Sequence, residues 1–312
     1  MDETVSALHL KLFGERPGLS TFLFHSIFKN KQEIGRHHVL PQEHMTVDAF
    51  RRFLDYFLSN NYQFVTPDAI RAGLPDPEAR YGLITFDDGY FNNTLIPPVL
   101  AAYKVPAVFF ISTAYITEGK KFWSDVVYHE RKKQHLSDET ILEEIIRLKS
   151  LKIAQVEDYL VKKFGIAAMK PLSDIDSPMT PGELQAFSLQ PFVHLGNHTH
   201  QHEILTNLTT EEIGQEFRTS QQLLTEITGI TPWFVSYPNG SFSDQVSTVA
   251  MQHQLTMGIT TIQQKNRLPL RPDKHGQVLL HRFNPVVKND EINCRKFRSS
   301  FQLKTQLKKW LQ

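Results

Sequence analysis

YGLITFDDGYFNNTLIPPVLAAYKVPAVFFIST, residues 81–113, decides the fold. Its opening is a strand, Leu83 to Phe86, that ends on two carboxylates, Asp87 and Asp88. Residues 92–103 carry helical patterning, weakened by Pro97 and Pro98, and VPAVFFIST is a second apolar strand. Strand, helix and strand in so short a stretch predict a βαβ unit. A parallel sheet follows, because parallel strands need a crossover between them.

Outward from that unit the alternation continues. STFLFHSIF, residues 20–28, is an early strand with His25 inside it. Thr46 caps a helix that carries Phe50, Leu54 and Phe57 on one face. NYQFVTPDAI is a strand entering a helix, with Thr66 as cap and Pro67 at the first helical position. Thr180 to Glu183 is a capping box, and TTEE at 209–212 opens a second helix that ends near Gly229. PWFVSYPNG is a strand and turn, Ile259 and Thr260 close another strand, and VLLHRF at 278–283 is a late one. The pattern predicts an α/β fold, a distorted (β/α) barrel of about seven strands. A doubly wound sheet has the same local signature. Residues 118–179 break the rhythm. They are charged and helical in pattern, and read as an inserted helical segment: a lid, a partner surface or simply extra outer helices.

Composition narrows the class. The chain has 312 residues, 40% hydrophobic and 21% charged, an ordinary soluble globular balance. Lysine and arginine total 34 against 33 acids, a net charge of +1. No basic stripe with interleaved aromatics marks a nucleic-acid binder. Cys294 is the single cysteine, so neither an intramolecular disulfide nor a thiolate metal cluster can form. The N-terminus, MDETVSALHLKLFG, starts acidic and holds no long apolar run, so the expectation is a cytoplasmic chain without a secretory signal. Apolar stretches such as VPAVFFI are too short to span a membrane. The basic tail KTQLKKWLQ reads as a terminal helix, with peripheral membrane contact as the alternative.

The chemistry gathers at two places. Asp87 and Asp88 sit at the carboxyl end of a strand, where α/β folds carry their sites. Two adjacent buried carboxylates repel, and a cation bound by one of them removes that cost. The competing reading is a plain Asp-Gly turn. LGNHTHQHEIL, residues 195–205, places His198 and His202 four apart, on one face if the segment is helical, with His200 pointing elsewhere. The competing reading there is surface histidines. Together, one carboxylate and two imidazoles make a three-ligand set for a catalytic divalent ion, which leaves the second aspartate free as general base. One ion per chain is expected. Zinc fits this donor set best, and cobalt or nickel is also accepted.

TFDDG followed by H-T-x-x-H resembles the polysaccharide deacetylases of the NodB-like type, carbohydrate esterase family 4. FHSI, VDAFRRFLDYFLSNNYQFVTP, MTPGEL, ITGITPWFVSYPNG and LLHRF resemble one branch of it, so the likeness runs from about residue 20 to 285, poorest in the insertion. It implies a single catalytic domain over 1–312 that hydrolyses the N-acetyl group of a carbohydrate. It implies Asp87 as general base, and Asp88, His198 and His202 as metal ligands. The backbone N–H of Tyr237 would face the oxyanion. Two departures accompany it. The arginine that many members carry in the third motif is absent from TPWFVSYPNG, where Trp233 is the nearest substitute. LLHRF offers His281 as general acid, favoured here, against Arg282 as a residue orienting Asp87. Tyr90, Phe91, Phe122, Trp123 and Trp233 are candidates for stacking on sugar rings, with core packing as the alternative. His25 would lie near the pocket by the same resemblance. The expected substrate is a precursor sugar or a lipid-linked glycan. Alternatives are a deformylase or other amidohydrolase on this scaffold, and an inactive carbohydrate-binding protein.

Overall fold

The computed structural model describes residues 2–288, 291–292 and 294–299. The tail KTQLKKWLQ lies outside the described residues. The main strands are β1 (Gly18–Phe24), β2 (Tyr62–Phe64), β3 (Arg80–Phe86), β4 (Ala107–Ile111), β5 (Val193–Asn197), β6 (Phe234–Ser236), β7 (Met257–Ile259), β8 (Val278–Leu280) and β9 (Arg282–Phe283). All pair in parallel, in the order β8-β7-β6-β5-β4-β3-β1-β9, with β2 attached to β3 off that path. β8 and β9 are separated by His281 alone, and they pair with β7 and β1 respectively. The eight strands therefore form a nearly closed barrel. Counted as one interrupted strand, its two ends join and make seven. A doubly wound sheet is excluded by that closure.

Alternation along the strands builds two apolar layers. Leu19, Tyr81, Leu83, Val108, Phe110, Phe234, Met257, Ile259 and Leu280 come from strands around the ring and meet in one buried cluster, the barrel interior. The intervening residues Phe22, Phe24, Ile84, Phe86, Phe109 and Ile111 face outward onto helices, with Phe50, Phe53, Leu54 and Phe57 of helix Val47–Leu58. Phenylalanines thus form much of this outer core. Phe86 stacks on Phe109 at 4.8 Å and on Phe24 at 5.2 Å.

The expected caps form. Thr46, Thr66, Thr180 and Thr209 each accept a hydrogen bond from the first turn of their helix, and Gly229 ends helix Thr210–Thr228 with a left-handed φ of 74°. The helix expected over 92–103 is split. A 3₁₀ turn, Phe91–Leu95, precedes helix Pro97–Tyr103, because the paired prolines supply no N–H to continue the first segment. The insertion folds as helices Trp123–Lys133, Asp138–Leu148 and Ile153–Phe164 around a core of its own, which includes Val126, Ile141, Ile145, Leu148, Val156 and Leu160. Among the described residues, no helix is long and apolar enough to cross a membrane.

Candidate active site

The carboxyl ends of the strands open into a cleft of about 240 Å³, whose lining includes His25, Asp87, Asp88, Trp123, Lys149, His198, His202, Asn239 and Arg282. Asp87 follows β3 and keeps the inward parity of Tyr81, Leu83 and Thr85, so its carboxylate closes the top of the barrel interior. Asp88 then has to leave the strand. Its φ is +81°, and Gly89 follows at +93°. A side chain at Gly89 would meet Ile111 Cδ1 at 3.1 Å, so the glycine of the DDG triplet is needed both for backbone angle and for space.

Arg282 is the largest fully buried side chain, 1% exposed. Its Nη1 and Nη2 each donate to one oxygen of Asp87, both at 2.8 Å, in a fork-to-fork pair. The guanidinium is held in turn by Thr85 Oγ1 at 3.2 Å, Ser236 Oγ at 3.0 Å and the Thr260 carbonyl at 3.2 Å. The Ser236 hydroxyl donates to Asp87 Oδ2 at 3.0 Å. Burial alone would raise the Asp87 pKa. Arg282, helped by His198, outweighs it and holds the carboxyl below its ordinary value.

The strand break at His281 explains why arginine rather than histidine faces inward. Val278, Leu280 and Arg282 share one parity, and Leu280 lies in the interior cluster. Leu279 packs instead among the outer residues Val235, Val249 and Leu255. His281 has the parity of Leu279. It lines a separate outer cleft with Asn266, Leu270 and Leu279, and its Nδ1 lies 3.0 Å from Thr260 Oγ1. Asn266 takes over its backbone, accepting from the N–H at 2.8 Å and donating to the carbonyl at 3.0 Å. The expectation that His281 donates a proton is therefore corrected: the pleat turns it away from the cleft. Arg282 occupies the position expected of an orienting residue, and supplies the guanidinium that TPWFVSYPNG lacks.

His198 follows β5, and its Nδ1 lies 2.7 Å from the Ser236 carbonyl. That contact places the proton on Nδ1 and leaves the Nε2 lone pair free. His198 Nε2 is 3.4 Å and His202 Nε2 3.3 Å from Asp88 Oδ1. All three ligand atoms lie within 4.8 Å of one another. Their convergence is not helical. Residues 198–204 form an irregular loop, with Thr199 at φ +65° and His202 at +58°. Such angles cost non-glycine residues about 1–3 kcal/mol each and persist only where the surroundings fix them. Here Asn197 Oδ1 accepts from the Thr199 N–H at 2.7 Å, and Glu216 Oε2 accepts from the N–H groups of His200 and Gln201 at 2.9 and 2.8 Å. His200 turns away to Thr113 Oγ1, 2.9 Å distant.

Asp88 Oδ1 is buried and accepts no hydrogen bond among the described residues. Burial opposes its charge, but while no ion is bound a proton shared from the facing imidazoles outweighs burial and holds the carboxyl well below its ordinary value. Burial lowers the His202 pKa, and Asp88 only partly offsets it, a direction that favours the neutral imidazole a metal requires. One anionic oxygen and two imidazole nitrogens, on buried Asp88 and His198 and half-buried His202 and within 4.8 Å of one another, fit one divalent ion.

Tyr237 departs from its expected role. Its N–H donates to the Ile259 carbonyl at 3.2 Å, and its hydroxyl donates to Gln277 Oε1 at 2.7 Å. That N–H is committed to the pairing of β6 with β7, so it is not free for an oxyanion. Of the aromatic candidates, Phe122 and Trp123 line the cleft. The Tyr90 hydroxyl is bound to Asp125 at 2.8 Å, Phe91 packs on the outer core, and Trp233 lies under the Arg71 guanidinium, 4.2 Å away.

Three residues of the site went unread in the sequence. Ser236 links Asp87 to Arg282. Glu216 sits on the buried side of helix Thr210–Thr228 beside Ile213, Phe217 and Ser220, and a charge on that apolar face was the available signal. Glu43 accepts from the His25 backbone N–H at 3.2 Å, and its Oε1 is 2.9 Å from His25 Nδ1. Burial would lower the His25 pKa. Glu43 reverses this, with smaller contributions from Asp88 and Asp87, and raises it to about 9.

A family model described as polysaccharide deacetylase matches residues 75–258, well over half of the chain. Among solved structures, the chain is similar to Streptococcus pyogenes deacetylase PplD in complex with acetate, at 15% identity and a TM-score of 0.58, covering 92% of this chain and 99% of that one. It is similar to IcaB from Ammonifex degensii at 18% identity and a TM-score of 0.56, covering 88% and 94%. A putative polysaccharide deacetylase from Bacillus anthracis aligns at 15% identity and a TM-score of 0.58, covering 92% and 70%. At such identities these structures establish a shared fold. No curated protein matches the chain.

Proposed function

The chain belongs to the polysaccharide deacetylase family, and from that premise we propose that it hydrolyses the N-acetyl group of a carbohydrate with one divalent ion held by Asp88, His198 and His202. The finer expectations are zinc as the ion and a precursor sugar or lipid-linked glycan as the substrate, on one catalytic domain that includes the insertion. The observation that carries the reading is Asp88 Oδ1, a buried anionic oxygen without a hydrogen bond, faced by two Nε2 atoms at 3.4 and 3.3 Å. Bound there, a divalent ion would polarise the acyl carbonyl and lower the pKa of water.

The protein's own groups supply the proton transfers. Water adds its oxygen to the acyl carbon, the C–N bond breaks, and acetate and a free amine leave. Asp87 takes the proton from the attacking water. A carboxylate has about four acceptor sites. Oδ2 already accepts from Arg282 and Ser236, and Oδ1 accepts from Arg282 alone, so the free site is on Oδ1. The depressed pKa makes Asp87 a weaker base but keeps it ionised and fixed in direction. His25 lines the same cleft and is the proton donor to the leaving amine. Glu43 holds its Nδ1, which leaves Nε2 to face the cleft, and the raised pKa keeps it protonated at neutral pH. The contributions of Asp88 and Asp87 to that rise are the ones a bound cation offsets.

The test is a panel of acetylated sugars as oligomers, nucleotide-linked and lipid-linked, together with formylated counterparts. The expected result is acetate and new primary amine released in equal amounts. Formate in place of acetate would move the activity to a deformylase. No acyl release from any member would refute the reading.

A further inference from the structure

The insertion supplies one wall of the cleft, through Trp123, Ile145 and Lys149. Lys149 is the C-terminal cap of helix Asp138–Leu148, where its N–H donates to the Ile145 carbonyl at 3.2 Å. Its own carbonyl accepts from Asn207 Nδ2 at 3.1 Å, which ties the insertion to the turn just beyond the His198–His202 loop. Ile145 and Leu148 anchor the same helix in the insertion core. The Lys149 backbone is thus fixed, and the residue also lines a small crevice with Trp123, His202 and Asn239.

Its charge is unmatched. Other cations of the insertion either hold a carboxylate, as Lys120 does with Glu157 at 2.7 Å, Arg131 with Glu144 at 2.7 Å and Lys152 with Glu212 at 2.6 Å, or, like Arg147, Lys163 and Lys170, stand exposed to solvent. Among the described residues, Lys149 has no carboxylate within 4.0 Å. The acids lining the cleft are, among the described residues, Asp87, forked onto Arg282, and Asp88, between the imidazoles. The other two cations of the lining, Arg282 and His25, each hold a carboxylate. The neutral polar groups Gln42, Ser124, Asn239, Thr261, Gln263 and Asn284 of the lining suit sugar hydroxyls without sensing charge. An ammonium in a partly dehydrated wall is costly until an anion reaches it.

Resting on the deacetylase reading, we propose that Lys149 is an anion subsite that selects acetylated sugars bearing an acidic group, carboxylate or phosphate, near the reacting amide. Neutral glycans bind the rest of the cleft equally well, so the lysine acts on specificity.

The experiment compares kcat/KM for three substrates on the metal-loaded protein: a neutral N-acetylhexosamine oligomer, its counterpart with a neighbouring uronate, and an N-acetylhexosamine 1-phosphate. Wild type is expected to prefer at least one acidic substrate about tenfold, through KM, and less so at high salt. In Lys149→Met that preference disappears, in Lys149→Glu it inverts, and Lys149→Arg restores it. The acidic substrate that loses more in Lys149→Met identifies the group as carboxylate or phosphate. Lys162→Met, an exposed charge on the same insertion, serves as the control and leaves the preference intact. A wild type without acidic preference, or a Lys149→Met protein that retains it, overturns the assignment alone. Acetate release from none of the three, nor from any member of the wider panel, overturns the deacetylase reading, and this inference with it.

Discussion

Arg282→Met is the sharpest perturbation of the site. Methionine occupies much of the same space but leaves Asp87 as a buried carboxylate whose remaining protein donor is the Ser236 hydroxyl. Removing one partner of a buried, forked pair costs about 3–5 kcal/mol, because the other charge stays behind uncompensated. For a chain of this size that is a fall in Tm on the order of 10 °C. The pH dependence has a definite sign. Arg282 and His198 together overcome burial and hold Asp87 below its ordinary pKa. The pair's stabilisation is therefore complete above the ordinary carboxylate pKa and is lost as pH falls through the depressed folded value. The difference in stability between wild type and variant shrinks on acidification. In activity, the base must be ionised. The acidic limb of kcat/KM thus moves upward in Arg282→Met, because burial is then opposed by less positive charge. Arg282→Lys keeps a charge but not the fork, and should fall between the two. Thermal unfolding at several pH values and a pH–rate profile provide the measurements. An acidic limb that stays in place, with Tm within two degrees of wild type, would refute the assignment of Arg282 as the residue that sets Asp87.

The two aspartates should separate cleanly. Asp88→Asn loses metal and activity together, whereas Asp87→Asn retains metal in a titration and loses turnover by roughly 10² or more. Glu43→Gln keeps a hydrogen-bonding group beside His25 but removes the charge, so the alkaline limb of kcat/KM should move down, His25 being active when protonated. An unmoved limb in that variant argues against His25 as the acid. His281→Ala should leave the pH–rate profile as in wild type, since the side chain faces the outer cleft. A large rate loss there, with the fold intact by circular dichroism, would return the acid role to it.

Much of the architecture was legible because the signals are local. The βαβ unit at 81–113, the threonine caps at 46, 66, 180 and 209, and the strand ending in Asp87 all depend on near neighbours. The meeting of Asp88, His198 and His202 was legible from spacing, though for a partly wrong reason. His198 and His202 converge through left-handed backbone and the support of Glu216, not through a helical face. The facing of His281 and Arg282 was not legible. VLLHRF is apolar on both sides before the pair, so alternation gives no polarity, and only the closure of β8 on β7 and β9 on β1 fixes which side is interior. Glu43 was equally hidden. It is 1% exposed, in a loop whose sequence reads as polar surface, and its partner lies 18 residues away.

If one ion on Asp88, His198 and His202 makes this cleft a deacetylase, activity must follow the metal. The protein is stripped with a chelator and zinc is titrated back, with bound metal and acetate release followed on the same samples. Acetate release should be absent from the stripped protein and should rise in proportion to bound metal, levelling off at about one equivalent. The same titration of Asp88→Asn should show neither binding nor release. Full activity in the stripped protein, or metal bound equally well by Asp88→Asn, would contradict the account.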